Sequence, residues 1–226
     1  MKRISYNEKR ILKNPIIEGI SMKTNKTARL TITAIFVAIL LLQTLVPNIG
    51  YIHLIPGLPA ITTVTLTIAI YGCMMGPKAG FLFGLFWGIT RLIAAYAMPA
   101  DMVSLLLFQN PFISIVPRVL AGVTPGLIVK LFKNKSEKAQ KWGYMLAGLA
   151  TSFVNTAFVI IMTNFVFMSD PSHLTKYMNG GNPAQPLILF LIAALGVNGI
   201  VEMIFTGVLT PIIMPSLKYV MKKAAI

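Results

Sequence analysis

Long apolar blocks, each near the length of a bilayer crossing, alternate with short basic clusters along this chain. That alternation dictates an integral membrane bundle. A spanning helix needs about 20 consecutive, mostly apolar residues. Blocks of that kind run over 28–46, 57–75, 78–97, 110–132, 142–168 and 187–217. All but three of the 20 Lys and Arg fall at the ends of the blocks or outside them, in the segment from Lys2 to Arg29, at Lys78, from Lys130 to Lys141, and from Lys218 to Lys223. Basic residues flanking spans collect on the cytoplasmic side. Six crossings put every one of these clusters on that side, both termini included. The expected fold is an all-α membrane protein, a six-transmembrane-helix bundle with both termini cytoplasmic. A basic N-terminal segment covers 1–27, the membrane domain 28–217, and a basic tail 218–226.

Composition agrees with this placement. Only 12% of residues are charged and the mean hydropathy is +0.76, whereas soluble domains carry about 25% charged residues. The net charge of +14 is topology information. It predicts anionic headgroups, and thus membrane lipids, as neighbours, and the chain has no nucleic-acid-binding motif. Cys73 is the single cysteine, so an intramolecular disulfide is impossible. The first 27 residues hold no apolar stretch of the kind a cleavable signal needs. The outer connections, 47–56, 98–109 and 169–186, are punctuated with Gly and Pro and suit lids over a bundle, inert tethers being the alternative.

Gly80, Gly84 and Gly88 recur every four residues in the third block. They form a small-residue stripe that lets helix backbones approach where no hydrophobic effect drives association. Trp87 and Arg91, four apart, share a neighbouring face. Ala34 and Ala38 make a second small pair in the first block.

Three charged residues fall deep within the blocks, away from their ends: Arg91, Arg118 and Glu202. Counting ~1.5 Å per helical residue, they lie roughly 20, 18 and 24 Å from the nearest basic cluster, too far to snorkel to the cytoplasm. Each charge at such depth costs about 2.5–3.5 kcal/mol and needs compensation. Two guanidiniums and one carboxylate leave one excess positive charge, which a monoanionic ligand entering from outside would neutralise through planar guanidinium–carboxylate pairing. The alternative is that Arg91 reaches the outer headgroups and leaves Arg118 and Glu202 as a structural pair. Asn198 lies four residues before Glu202, and Ser152, Asn155 and Thr156 add polar groups in the fifth block. Pro117 and Pro125 free backbone carbonyls in the fourth. Such polar groups either line a ligand cavity or join helices.

The chain contains no nucleophile elbow, zinc-protease helix or phosphate-binding loop, so no enzyme activity and no cofactor are expected. Neither the polar ring of a channel nor the repeat of many secondary transporters is visible. These features together resemble the substrate-binding S components of energy-coupling factor (ECF) vitamin transporters. The resemblance covers the chain after about residue 24 and rests on six short spans, the basic N-terminus and Ala34-x-x-x-Ala38. It implies a multi-pass protein of a bacterial cytoplasmic membrane. In that family the Ala34 and Ala38 positions dock a shared membrane T component, and two cytoplasmic ATPases complete the complex. "NPFISIVPRVLAG" and "GVNGIVE" look most like the pantothenate-specific branch, pantothenate carrying one carboxylate beside hydroxyls and an amide. The resemblance implies Arg118 at the substrate carboxylate, Asn155 and Asn198 at its polar groups, Glu202 orienting or neutralising the second arginine, Arg91, and Trp87 as an apolar wall. Pyridoxine or riboflavin as ligand, a stand-alone secondary transporter and a membrane enzyme are the competing expectations.

Overall fold

The computed structural model describes residues 15–46, 49–52, 61–98, 102–172, 174 and 186–223. Its helices, in chain order, are α1 (Pro15–Leu45), α2 (Val64–Met75), α3 (Pro77–Ala97), α4 (Met102–Phe108), α5 (Pro111–Phe132), α6 (Glu137–Phe167) and α7 (Leu187–Lys223). Strands β1 (Tyr51–Ile52) and β2 (Ile61–Thr62) pair antiparallel between α1 and α2. Among the described residues, five helices are long and apolar enough to cross a bilayer: α1, α3, α5, α6 and α7.

Local chemistry sets the boundaries. Asn110 caps α5, its side chain accepting the Phe112 N–H at 2.9 Å, with Pro111 in the first turn. Ser136 caps α6 by accepting the Ala139 N–H. Gly76, at φ 85°, turns α2 directly into α3 with Pro77 at the first helical position.

The block expected to span 57–75 takes a different form. Residues 57–60 lie outside the described residues, Ile61 and Thr62 are extended, and the helix begins only at Val64. Twelve residues make a helix of about 18 Å, short of the roughly 30 Å hydrocarbon layer. The cause is local. Thr62 accepts the Val64 N–H on its hydroxyl at 3.2 Å and the Thr65 hydroxyl on its carbonyl. A run of threonines thus starts the helix late and leaves the preceding residues to the ribbon. Likewise α4 forms within the 98–109 connection, whereas α1, which begins at Pro15, has its span-length apolar part at Lys26–Leu45, close to the expected 28–46. Residues 1–14 and 224–226 and the histidines His53 and His173 lie outside the described residues.

The bundle is organised by the packing of α3 on α5, α5 on α6 and α6 on α7, while α1 packs against α2 and α3. The glycine stripe makes the first of these contacts. A Cβ at Gly80 would lie 2.1 Å from the Gly122 carbonyl oxygen, one at Gly84 2.3 Å from that of Arg118, and one at Gly88 2.8 Å from Ile115 Cα. The two backbones therefore touch along the helix face, and no other residue type fits there. Two apolar clusters fill the interior. One surrounds Tyr71, Phe83, Trp87 and Ala121, the other Leu107, Phe108, Ile113 and Leu191. At one end of the bundle a cavity of about 540 Å³ gathers the Gly76–Pro77 turn with Lys130, Lys133 and Lys218. Lys218 Nζ donates to Gln140 Oε1 there, at 2.5 Å.

Candidate substrate-binding site

Arg91, Arg118 and Glu202 are buried, with 6%, 3% and 5% of their surfaces exposed. They are the buried charged residues among the described ones. Arg118 stands at the seam between the two apolar clusters. Its guanidinium carbon lies 5.3 Å from the centroid of the Trp87 ring, in one cluster, and 4.6 Å from that of Phe108, in the other. Arg91 lies over the same Phe108 ring at 4.5 Å. The two guanidiniums thus share one aromatic platform, although they come from α3 and α5, and α4 supplies the ring. Cations over an aromatic face are attracted by its quadrupole, most strongly when desolvated. Shared attraction to Phe108 offsets part of their mutual repulsion, and the remainder is a concentrated positive field.

Further contacts fix Arg118 and its surroundings. Arg118 Nη1 donates to the Ile113 carbonyl at 2.7 Å. Ser114 donates its hydroxyl to the Gly88 carbonyl at 3.3 Å, which ties α5 to α3 one turn away. Gln109 Nε2 donates to the Ala95 carbonyl at 3.3 Å and Tyr96 donates to the Gln109 carbonyl at 3.2 Å, holding the α4–α5 junction onto α3.

Glu202 faces this field from α7. Arg118 and Glu202 interact through their charges. Glu202 Oε1 accepts the backbone N–H of Thr62 at 2.7 Å, so the last helix holds the β-ribbon. Its Oε2 has no hydrogen-bond partner among the described residues, and neither has Asn155 Oδ1. Buried polar atoms are rarely left so. These two are acceptors in search of donors. Asn155 and Asn198 are buried on α6 and α7, and Trp87 is fully buried.

Other polar groups join helices. The Ser152 and Thr206 hydroxyls are 2.7 Å apart, and Thr206 Oγ1 donates to the Glu202 carbonyl at 2.7 Å, so this pair locks α6 to α7 beside the site. Thr156 packs against Gly199. Ala34 and Ala38 lie apart from the site, exposed on α1 beside the exposed Ile35, Ile39 and Leu42.

Two residues central to this geometry escaped the reading of the sequence. Phe108 ends an apolar run too short to count as a span, and Thr62 acts through its backbone. A signal for Phe108 exists: the apolar LLLF immediately precedes the Asn110-Pro111 helix start, which places its last residue against the top of the bundle.

Two arginines on one buried ring, with a buried carboxylate on α7, give this helical bundle the chemistry to hold a small anionic molecule. The chain belongs to the substrate-specific components of ECF transporters, whose family model matches residues 28–214. It is therefore a multi-pass transport subunit and not an enzyme. The pantothenate transporter PanT of Leuconostoc mesenteroides subsp. mesenteroides is 35% identical over 192 residues, 83% of this chain and 90% of that protein. The pantothenic acid transporter PanT of Lactococcus lactis subsp. cremoris is 26% identical over 208 residues, 87% of this chain and 96% of that protein.

Proposed function

We propose that this chain captures pantothenate from outside the cell and delivers it, through a T component and two ATPases, for ATP-driven uptake. One observation carries the reading: two desolvated guanidiniums share the Phe108 ring, and Glu202 is the single buried carboxylate among the described residues. Pantothenate brings one carboxylate, which completes the charge balance. Its hydroxyls and amide N–H bring the donors that Glu202 Oε2 and Asn155 Oδ1 lack. Arg118 meets the ligand carboxylate with Arg91 beside it, Trp87 forms the apolar wall, and Asn198 contributes a further polar contact. The relatives' names support the choice of pantothenate over a neutral vitamin such as pyridoxine or riboflavin. The exposed Ala34–Ala38 face of α1 is the surface for the T component.

The same reading takes α2 and the ribbon before it as one shortened crossing. That gives six crossings and places both termini in the cytoplasm. Convergence of the Gly76–Pro77 turn, Lys130, Lys133 and Lys218 around one cavity supports it, since these basic groups then share the cytoplasmic face. Anionic lipid headgroups are the neighbours of that face.

Calorimetric titration of pantothenate into the purified chain, freed of co-purified ligand, tests the proposal. One-to-one binding is expected, weakened at least about 30-fold in Arg118→Ala because a buried charge pair loses one partner. Wild-type affinity in that variant, or heat from pyridoxine and none from pantothenate, would refute it.

A further inference from the structure

Arg118 directly follows a proline, Pro117, within α5. A proline has no N–H and cannot bond the carbonyl four residues earlier. For Pro117 that carbonyl is Ile113, the one to which Arg118 Nη1 donates at 2.7 Å. Ile113 is fully buried, so its carbonyl, left unfilled in a bilayer, would be strongly unfavourable. Side chains of a helix lean toward its N-terminus, and the arginine following the proline thereby reaches back over the gap.

We infer that Pro117 is a positioning residue for Arg118: by withholding its amide it opens the Ile113 carbonyl, and that carbonyl anchors the guanidinium in its binding pose over Trp87 and Phe108. The anchor uses one nitrogen, Nη1, and sets the plane in which the rest of the group meets an anion. An arginine side chain has many rotamers, and fixing it before the ligand arrives removes that entropic cost from binding. The inference rests on the proposed role of Arg118 in binding pantothenate.

Pro117→Ala supplies the missing amide, which then competes for the Ile113 carbonyl as in any helix. The expected result is pantothenate affinity lowered about tenfold, since preorganisation of one such side chain is lost. The melting temperature of the same variant stays level or rises, because a mid-helix proline has been removed. A merely structural role moves stability the other way. Titration of the full chain with pantothenate as wild type, Pro117→Ala, Arg118→Ala and the double variant isolates the coupling. Pro117→Ala should have no effect on affinity once Arg118 is absent. Amide exchange at position 117 provides a second measurement, with slow exchange expected in Pro117→Ala if the new N–H takes the Ile113 carbonyl. Unchanged affinity in Pro117→Ala, while Arg118→Ala is weakened, overturns this inference and leaves the pantothenate reading standing. Equal losses in both backgrounds overturn it as well, since helix shape would then be the cause. Unchanged affinity in Arg118→Ala would instead remove the pantothenate reading and this inference with it.

Discussion

Replacing Gly84 by alanine tests whether backbone contact between α3 and α5 holds the arginines in place. The added Cβ would sit 2.3 Å from the Arg118 carbonyl oxygen and 3.1 Å from Val119 Cα. Carbon and oxygen rest at about 3.3–3.6 Å, so the helices must part by about 1 Å at the level of Arg118. Both obstacles are backbone, which cannot rotate away as a side chain would. Overpacking of this kind costs about 1–3 kcal/mol, against about 1 kcal/mol gained from the better helix propensity of alanine. Gly196→Ala cancels the propensity gain, since a Cβ there meets nothing within 4 Å. The difference between the two variants is then the steric cost alone. At 2–4 °C per kcal/mol for a chain of this size, Gly84→Ala should melt roughly 2–12 °C below Gly196→Ala. Tryptophan emission during heating of the detergent-solubilised protein reads this directly, Trp87 being fully buried. Equal melting temperatures for the two would show that the α3–α5 interface yields without cost, and the close-contact argument would fail.

Two further outcomes follow from the site. Phe108→Leu keeps an apolar side chain but removes the ring under both guanidiniums, each contact being worth about 0.5–2 kcal/mol; titration should show pantothenate affinity reduced about tenfold, and wild-type affinity would mean that the shared ring is incidental. Glu202→Ala removes the acceptor of the Thr62 N–H, so amide exchange at Thr62 should accelerate, while Glu202→Gln retains an oxygen acceptor and the protection; equal exchange in both would dissociate the ribbon from α7.

Hydropathy carried the bundle well because the bilayer demands long apolar helices, and α3, α5, α6 and the start of α7 fall within a few residues of the expected blocks. Residues 57–75 misled for a related reason. A hydropathy average tolerates threonines scattered among apolar residues, whereas Thr62 and its hydroxyl divide the segment into ribbon and short helix. The glycine stripe was visible because it has a period, and its partner helix was not, since a repeat names a face without saying what lies opposite. For the site, depth along each block singled out Arg91, Arg118 and Glu202, and all three are buried. Their common ring could not be read, because Phe108 has neither charge nor motif. The Thr62–Glu202 contact joins a backbone amide to a side chain 140 residues away, and only the folded chain brings the two together.

That separation also orders events during synthesis. Chains are made at about 5–20 residues per second, so Thr62 leaves the ribosome roughly 7–28 s before its partner on α7. Arg91 and Arg118 enter the membrane within the same interval, ahead of the carboxylate that balances them. Contacts so distant along the chain form late, and the binding site is therefore closed by the last helix to be inserted. A nascent chain that stops before α7 has the cations of Arg91 and Arg118 and lacks the carboxylate of Glu202, so insertion of α7 is the step that brings these charges together.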